Sequence, residues 1–69
     1  MRDESKTKVI EKDAITKLCP EHARRIHATE LRYDVKASIQ RRMGRIVIIG
    51  QKGDILNAME EIYTLLNQV

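Results

Sequence analysis

The sequence of 69 residues predicts an α+β fold with a small antiparallel sheet on one side and helices on the other. Two patterns lead to this class. Apolar and polar residues alternate over 33–40 and an aliphatic run fills 46–49, as in strands, whereas apolar residues over 55–69 recur at spacings of three and four, as in a helix. The predicted order is strand, helical segment, strand, strand and helix, which two packed layers accommodate.

The first half of the chain predicts a strand and a helix. Residues 7–15 carry Val and Ile among charged residues and are interpreted as a short strand that leads into a turn or a helix start. Pro20 suits the first turn of a helix, where its missing N–H has no partner to lose. Neither Gly nor Pro interrupts 21–32, and one face of that helix is predicted to hold Ala23, Ile26 and Leu31.

The second half predicts a hairpin followed by a helix. The strand at 33–39 leads into a basic hairpin loop at 41–45, with Gly44 as its turn residue. The run 46–49 is typical of a strand that is covered on both sides or central in its sheet. Asp54 is predicted to cap the last helix, which runs to the final residue. The apolar surface of this helix is wide, so either all of it packs on the sheet or part stays uncovered as a contact patch.

Composition limits the functions that the chain can have. A chain this short has room for one domain, which we place at 7–69 behind a flexible N-terminal tail at 1–6. Two tyrosines, no phenylalanine and no tryptophan give a thin aliphatic core, so a deep substrate pocket is not expected. One cysteine excludes an internal disulfide and suits the reducing conditions of the cytoplasm or nucleus. The sequence holds no apolar run long enough for a membrane span, and its charged start does not match a signal peptide.

The cysteine and the two histidines do not predict a metal or catalytic site. Cys19 and His22 have a spacing that zinc sites use, but a structural zinc needs four ligands and His27 is the only other candidate of this type. We expect a buried cysteine and two surface or half-buried histidines. Cys19 and His22 also lack the third group that positions a nucleophile and its base. The chain is therefore expected to be non-enzymatic, without a cofactor, a metal or a small-molecule substrate.

Gly50, Gln51, Lys52 and Gly53 form a G-x-x-G sequence with two interpretations. Such a loop in a KH (K-homology) domain lets the backbone approach phosphates of single-stranded nucleic acid. A KH phosphate loop joins two helices and is followed by strands, whereas only one helix follows Gly53. The alternative, a turn from a strand into a helix, fits this context better.

Read along its whole length, the chain resembles a type I KH domain over residues 7–69. The segment from Gly44 through the aliphatic run to Gly50, and the helix with Ile55 and Ala58, are similar to the closing strand, turn and helix of that family. The resemblance implies a βααββα order, with a three-stranded antiparallel sheet packed against two to three helices. It also implies that the strand at 46–49 lies in the middle and that 41–45 is the variable loop.

The resemblance fails where the family's own G-x-x-G loop belongs. That position holds no glycine and is occupied by Cys19, Pro20, Glu21 and His22. Pro20 offers no N–H to a phosphate, and Glu21 repels it, by roughly 4 kcal/mol for charges about 4 Å apart near a surface before salt screening. The sequence therefore predicts a KH-like domain with a degenerate loop.

Charge is unevenly distributed along the chain. Residues 1–45 hold 12 basic and 7 acidic groups, net +5, whereas 46–69 hold 1 and 3, net −2. The resemblance places six basic residues around the family's nucleic-acid groove. Single-strand readers stack bases on aromatic rings, and the only rings, Tyr33 and Tyr63, fall at core positions. The candidates are Arg24, Arg25, Lys36, Arg41, Arg42 and Arg45.

Two functions remain from this sequence. The first is a KH-like interaction module that mediates protein–protein assembly or self-association within a larger protein, RNA-linked as the resemblance implies. The alternative is weak, salt-sensitive binding of single-stranded RNA through the six basic residues. The two differ in their expected partner: a protein surface or a second copy in the first, and RNA in the second.

Overall fold

The computed structural model describes residues 6–69. The predicted tail at 1–6 lies outside this part of the chain except for Lys6, which already belongs to the first strand. Three strands, two α-helices and two short 3₁₀ helices follow one another. They are β1 (Lys6–Glu11), a 3₁₀ helix (Asp13–Lys17), α1 (Pro20–Tyr33), β2 (Lys36–Gln40), a 3₁₀ turn (Arg41–Met43), β3 (Arg45–Gly50) and α2 (Lys52–Leu66).

The strands form one antiparallel sheet in the order β1-β3-β2. Ile46 in β3 lies opposite Ile10 in β1 and Ile39 in β2, which fixes the register. The prediction that the aliphatic run is the central strand is confirmed. Coverage on both sides is wrong, because Ile46 and Ile48 are fully buried whereas Ile49, on the other face, is 43% exposed. The α+β class with a three-stranded antiparallel sheet is therefore confirmed, with one face of the sheet open.

One aliphatic cluster holds the sheet and the helices together. The buried face of the sheet contributes Ile10, Ile46 and Ile48, and Ile15 and Leu18 pack against it from the link between β1 and α1. Burial of each such side chain contributes about 1.5–3 kcal/mol, which is the main stabilising term in a domain this small. Both helices face this cluster, through Ile26 of α1 and Ile55, Ala58, Ile62, Leu65 and Leu66 of α2.

Helix α1 differs from its predicted form at its C-terminal end. Leu31, predicted on the core face, is 86% exposed, and Thr29 is buried instead. The reason is geometric: residue 29 lies three positions beyond Ile26 and shares its face, whereas residue 31 lies five beyond it. Tyr33 closes the helix and does not start the strand. Asp34 then takes a left-handed conformation, with φ of 57°, and ends the helix.

Helix α2 starts earlier and ends earlier than predicted. Gln51 is its N-cap and makes no side-chain cap bond, and Asp54 lies within the first turn. The predicted cap at Asp54 is therefore wrong, although a carboxylate in the first turn still interacts favourably with the helix dipole. Leu56, 56% exposed, lies off the core. Of the two predicted outcomes for the apolar surface of this helix, partial exposure is the one found.

Candidate functional site

The corner at Cys19–His22 links the first 3₁₀ helix to α1, and the backbone N–H of its first residue is already hydrogen-bonded within the corner. Cys19 is the N-cap of α1, and its N–H donates to Nδ1 of His22 at 3.2 Å, while its Sγ lies 3.1 Å from the same nitrogen. Pro20 follows as the first helical residue and has no N–H. A phosphate at this corner would have to displace His22 from the Cys19 amide. The corner thus offers a phosphate neither the Cys19 amide nor an N–H at residue 20, whereas a phosphate loop requires several free amides in a row.

The cysteine itself lies in a different place from its prediction. Cys19 is exposed, not buried, because the N-cap position projects outward from the start of the helix. His22 is half-buried and His27 is exposed, as predicted. Nδ1 of His27 lies 2.6 Å from Oε1 of Glu30, so His27 is turned to a partner on its own helix. Within residues 6–69, no three His, Cys, Asp or Glu side chains are grouped as metal ligands.

The glycine pair near position 50 lies between a strand and a helix. Gly50 is the last residue of β3, and Gly53 lies in the first turn of α2. A Cβ at Gly50 would lie 2.7 Å from Cγ1 of Val35, whereas a Cβ at Gly53 would have no atom within 4 Å. The first glycine is therefore required by close packing against Val35, the residue just before β2, and the second has no steric requirement. This arrangement is the strand-to-helix turn that the sequence favours.

Of the six basic candidates, two form a local cluster. Arg41 and Arg42 line a shallow depression together with Thr16 of the first 3₁₀ helix. Nη1 of Arg41 also donates to the backbone oxygen of Leu18 at 2.9 Å, which ties the β2–β3 turn to the segment just before Cys19. Arg41 and Arg42 therefore lie close to the segment that leads into the Cys19–His22 corner.

The other four candidates are distributed over different parts of the molecule. Arg24 and Arg25 are exposed on α1, and Arg25 lines a groove between the two helices. Lys36 begins β2, and Gln40, which precedes Arg41, ends it roughly 13 Å away at about 3.3 Å per residue. Arg45 begins β3 opposite Glu11, and its Nε is buried without a hydrogen-bond partner among the described residues. The six residues thus do not line one depression.

Both tyrosine rings are engaged with the protein. Tyr33 and Tyr63 are partly buried against the core, as predicted. The hydroxyl of Tyr33 donates to Glu61 at 2.9 Å, and Nζ of Lys12 lies 5.4 Å from the centre of the Tyr63 ring. Neither ring is displayed as a platform for stacked bases.

A polar cluster that the sequence analysis missed joins α1 to α2. One oxygen of Glu61 accepts from the Thr29 hydroxyl at 2.8 Å, and the other accepts from Arg32 at 2.7 Å and from Tyr33. The hydrogen bond from Thr29 holds the pKa of Glu61 below its usual value, with help from Tyr33 and Arg32 and against partial burial. The same carboxylate raises the pKa of Tyr33. The cluster fixes the helix pair, and no spacing in the sequence marks residues 28 to 32 positions apart as partners.

The two edges of the sheet differ. At the β2 edge, Oε2 of Glu30 accepts from the Ala37 N–H at 2.7 Å, so an outward amide of that strand is already bonded. At the β1 edge, no side chain within residues 6–69 hydrogen-bonds to the strand backbone. The N–H of Lys12, just after β1, donates inward to the backbone oxygen of Gly44 at 3.0 Å. Successive backbone amides of a strand alternate in direction, so the N–H groups of Thr7, Val9 and Glu11 point away from β3. The β1 edge is therefore open and the β2 edge is partly closed.

The face of the sheet opposite the helices is apolar in its middle. Val9 and Val47 lie opposite each other in the ladder, and Ile49 follows on the same face of β3. Val9 is 45% exposed and Ile49 is 43% exposed. Charged and polar residues surround them: Glu11, Lys36, Ser38, Gln40 and Arg45.

No helix in the described part of the chain is long and apolar enough to cross a membrane. Comparison of the sequence with protein-family models and curated proteins, and of the structure with solved structures, found no match. The resemblance to KH domains therefore stays a prediction, and the surfaces described above carry the functional argument.

Proposed function

We propose that this chain is a non-enzymatic, KH-like module for protein–protein assembly, which associates through the open face of its sheet. The observation that carries the proposal is the apolar centre of that face. Val9 and Ile49 are each almost half exposed in a domain whose other strand aliphatics are buried or half-buried. Isolated exposed aliphatics are common, but neighbouring ones with a polar surround are typical of contact surfaces.

The strength of such a contact follows from the area available. Burial of a whole Val or Ile contributes about 1.5–3 kcal/mol, so two half-exposed side chains on each of two copies contribute roughly 4 kcal/mol. The lowest estimates of the entropic cost of association are also about 4 kcal/mol, so these four side chains only offset that cost. A dissociation constant near 1 mM needs about 4 kcal/mol more, which we assign to burial of Val47 and of the aliphatic parts of the surrounding polar side chains. We therefore expect weak self-association of the isolated chain near this concentration, and stronger assembly where a larger protein holds several copies together.

The KH-like part of the proposal is supported by the order of elements and strands. The aliphatic strand is central, and a corner without glycine precedes α1, at the place where the resemblance locates the phosphate loop. The first helical segment is a 3₁₀ helix of 5 residues, shorter than a paired helix of the family would be. A corner whose Cys19 amide is bonded to His22 favours a protein partner over a phosphate.

Sedimentation velocity from about 10 µM to about 1 mM tests the proposal, because contacts of about 4–7 kcal/mol are measurable in that range. The unchanged chain should sediment faster as its concentration rises. The double variant V47T/I49T keeps β-branched side chains on the open face but adds hydroxyls, so it should remain monomeric. M43S, which removes an exposed side chain from the β2–β3 turn, is the matched control and should behave like the unchanged chain. A strict monomer at 1 mM, or equal association of V47T/I49T, would overturn the proposal.

A second candidate function is weak binding of single-stranded RNA, favoured by the position of Arg41 and Arg42 close to the segment that leads into the degenerate corner. Titration of labelled single-stranded RNA at low and moderate salt tests it. Loss of two phosphate contacts in R41A/R42A should reduce the slope of log affinity against log salt by about 1.4. K6A/K8A, which makes the same change in net charge at two residues of β1 outside the six candidates, is the control. Sub-micromolar binding that R41A/R42A abolishes would favour this function over assembly.

A further inference from the structure

The open edge of β1 lies beside a group of lysines. Lys6 and Lys8 in β1 and Lys52 at the start of α2 line a depression of about 180 Å³ together with Ile55 and Leu56. None of these five residues is acidic, and none of the three lysines forms an ion pair among the described residues. The depression therefore combines an apolar floor with three lysines that no acidic side chain within residues 6–69 pairs.

The register of the sheet explains why the lysines meet there. Lys6 lies opposite Gly50, and Lys8 lies opposite the buried Ile48, so both lysines are on the helix side of the sheet. Lys52 follows Gly50 by two residues and opens α2. Because β1 is an edge strand of the described sheet, its helix-side lysines meet solvent and the first turns of α2, and no other strand within residues 6–69 lies beyond them.

We propose that the β1 edge, with this depression, binds an extended peptide segment in which acidic residues alternate with apolar ones. An added strand would accept from and donate to the outward backbone groups of Thr7, Val9 and Glu11, which is the usual way in which a peptide extends a sheet. Its alternate side chains on the helix side would lie opposite Lys6 and Lys8, where carboxylates fit and ammonium groups do not. The inference rests on the proposed role as a protein-binding module and names the chemistry of one partner.

The opposite side of the added strand has a different requirement. There its side chains would lie beside Thr7 and Val9 on the open face, which favours β-branched or apolar residues. On the helix side, Leu56 offers an exposed aliphatic surface at the same depression. Alternation with a period of two, acidic towards α2 and apolar towards the open face, is thus the pattern that the edge selects.

The test uses the whole chain and a synthetic peptide of eight residues in which Glu alternates with Val. Binding is measured by fluorescence anisotropy at low salt. Two control peptides are a Glu/Val peptide of the same composition with its four Glu grouped, and a peptide in which Lys replaces Glu. The alternating peptide should bind at least about tenfold more tightly than either control, because only it places its carboxylates opposite the lysines along the strand.

Two kinds of variant test the residues involved. K6E/K8E should weaken binding of the alternating peptide by about tenfold or more, whereas R24E/K36E, with the same change in net charge on other elements, should change it little. V9P removes an outward N–H at a position where proline is tolerated in an edge strand, and it should also weaken binding. Amide hydrogen exchange of the unchanged chain, which needs no variant, should show protection of Thr7, Val9 and Glu11 when the peptide is added.

Several outcomes would overturn the inference. Equal binding of the grouped and alternating peptides would show attraction of a polyanion without strand addition. Protection of β2 amides in place of β1 amides would locate the peptide at the other edge. Concentration-dependent protection of β1 in the absence of peptide would show that a second copy occupies the edge. Absence of peptide binding, together with association that V47T/I49T abolishes, would remove this inference and leave the proposed function intact, since the two tests use different residues.

Discussion

The two glycines of the G-x-x-G sequence should respond in opposite ways to alanine. At Gly50 the added Cβ would lie 2.7 Å from Cγ1 and 3.2 Å from Cβ of Val35, and carbon atoms normally approach to about 3.5–4.0 Å. Val35 is only 6% exposed, so its displacement disturbs the core. Overpacking of this kind costs about 1–3 kcal/mol, of which the lower entropy of the unfolded alanine chain offsets about 0.4–1 kcal/mol. We expect G50A to lower the free energy of unfolding by about 1–2 kcal/mol.

Gly53 provides the matched control in the same tetrapeptide. No atom lies within 4 Å of an added Cβ, and the residue is in the first turn of a helix. G53A should therefore raise the free energy of unfolding by about 0.4–1 kcal/mol. Urea denaturation followed by far-UV circular dichroism measures both changes. In thermal melts, each kcal/mol should shift the midpoint by about 4–8 °C in a domain of this size.

A third variant isolates the contact that carries the reasoning. V35A alone leaves a small cavity and lowers the free energy of unfolding. The double variant V35A/G50A should lose less free energy of unfolding than the two single variants lose together, because the new methyl group occupies part of the space that the Val35 side chain vacates. A G50A chain as stable as the unchanged one would refute the steric argument, as would a G53A chain destabilised to the same extent as G50A. The second result would mean that both glycines serve one loop conformation.

Three further predictions concern stability. E61Q should lower the free energy of unfolding by about 1–3 kcal/mol at pH 7, since Glu61 accepts from Thr29, Arg32 and Tyr33. Folding lowers the pKa of Glu61, so the stability that its carboxylate contributes is present above the usual pKa of a glutamate and is lost as the pH falls through the lowered pKa. The free energies of unfolding of the unchanged chain and of E61Q, measured by urea titration, should therefore differ less at pH 3 than at pH 7. D34G should stabilise by about 0.5–1 kcal/mol in thermal melts, because φ of 57° suits glycine better than aspartate, and D34V should destabilise. G44A should lower the free energy of unfolding by about 1–2 kcal/mol in urea titrations, because Gly44 has φ of 65° and an added Cβ would lie 3.3 Å from the backbone oxygen of Lys12. An unchanged free energy of unfolding in G44A would contradict the left-handed turn.

The elements were predictable where a repeating pattern specified them. The period of two before the hairpin and the aliphatic run after it identified β2 and β3, and spacings of three and four identified α2. The error at Leu31 was avoidable, since a position five residues after Ile26 does not share its helix face. Boundary errors at Tyr33 and Asp54 have a different origin: local residue preferences do not determine where tertiary packing ends a helix or starts one.

The surfaces were less predictable, because they depend on contacts between distant residues. The burial of Thr29 depends on Glu61, which is 32 positions away in the chain. Glu30 reaches Ala37 only because α1 lies over the edge of β2, and the requirement for Gly50 depends on Val35 in the link between α1 and β2. Lys6 and Lys8 alternate with Thr7 and Val9 in the sequence, but this alternation does not show that the strand lies at an edge of the sheet. Lys52 joins this group only through the turn at the end of β3.

The bond from Glu30 to the Ala37 amide has a consequence for stoichiometry. A sheet with two free edges can accept a strand on either side, so copies can add to one another without limit and grow into fibrils. Here the Glu30 carboxylate already accepts a hydrogen bond from the Ala37 N–H, which an added strand at β2 would need. The lysines on β1 disfavour a second identical basic strand at the other edge. Under the proposed strand addition, the β1 edge therefore accepts one heterologous strand and growth from the β2 edge is hindered at Ala37, so open-ended association of copies is disfavoured.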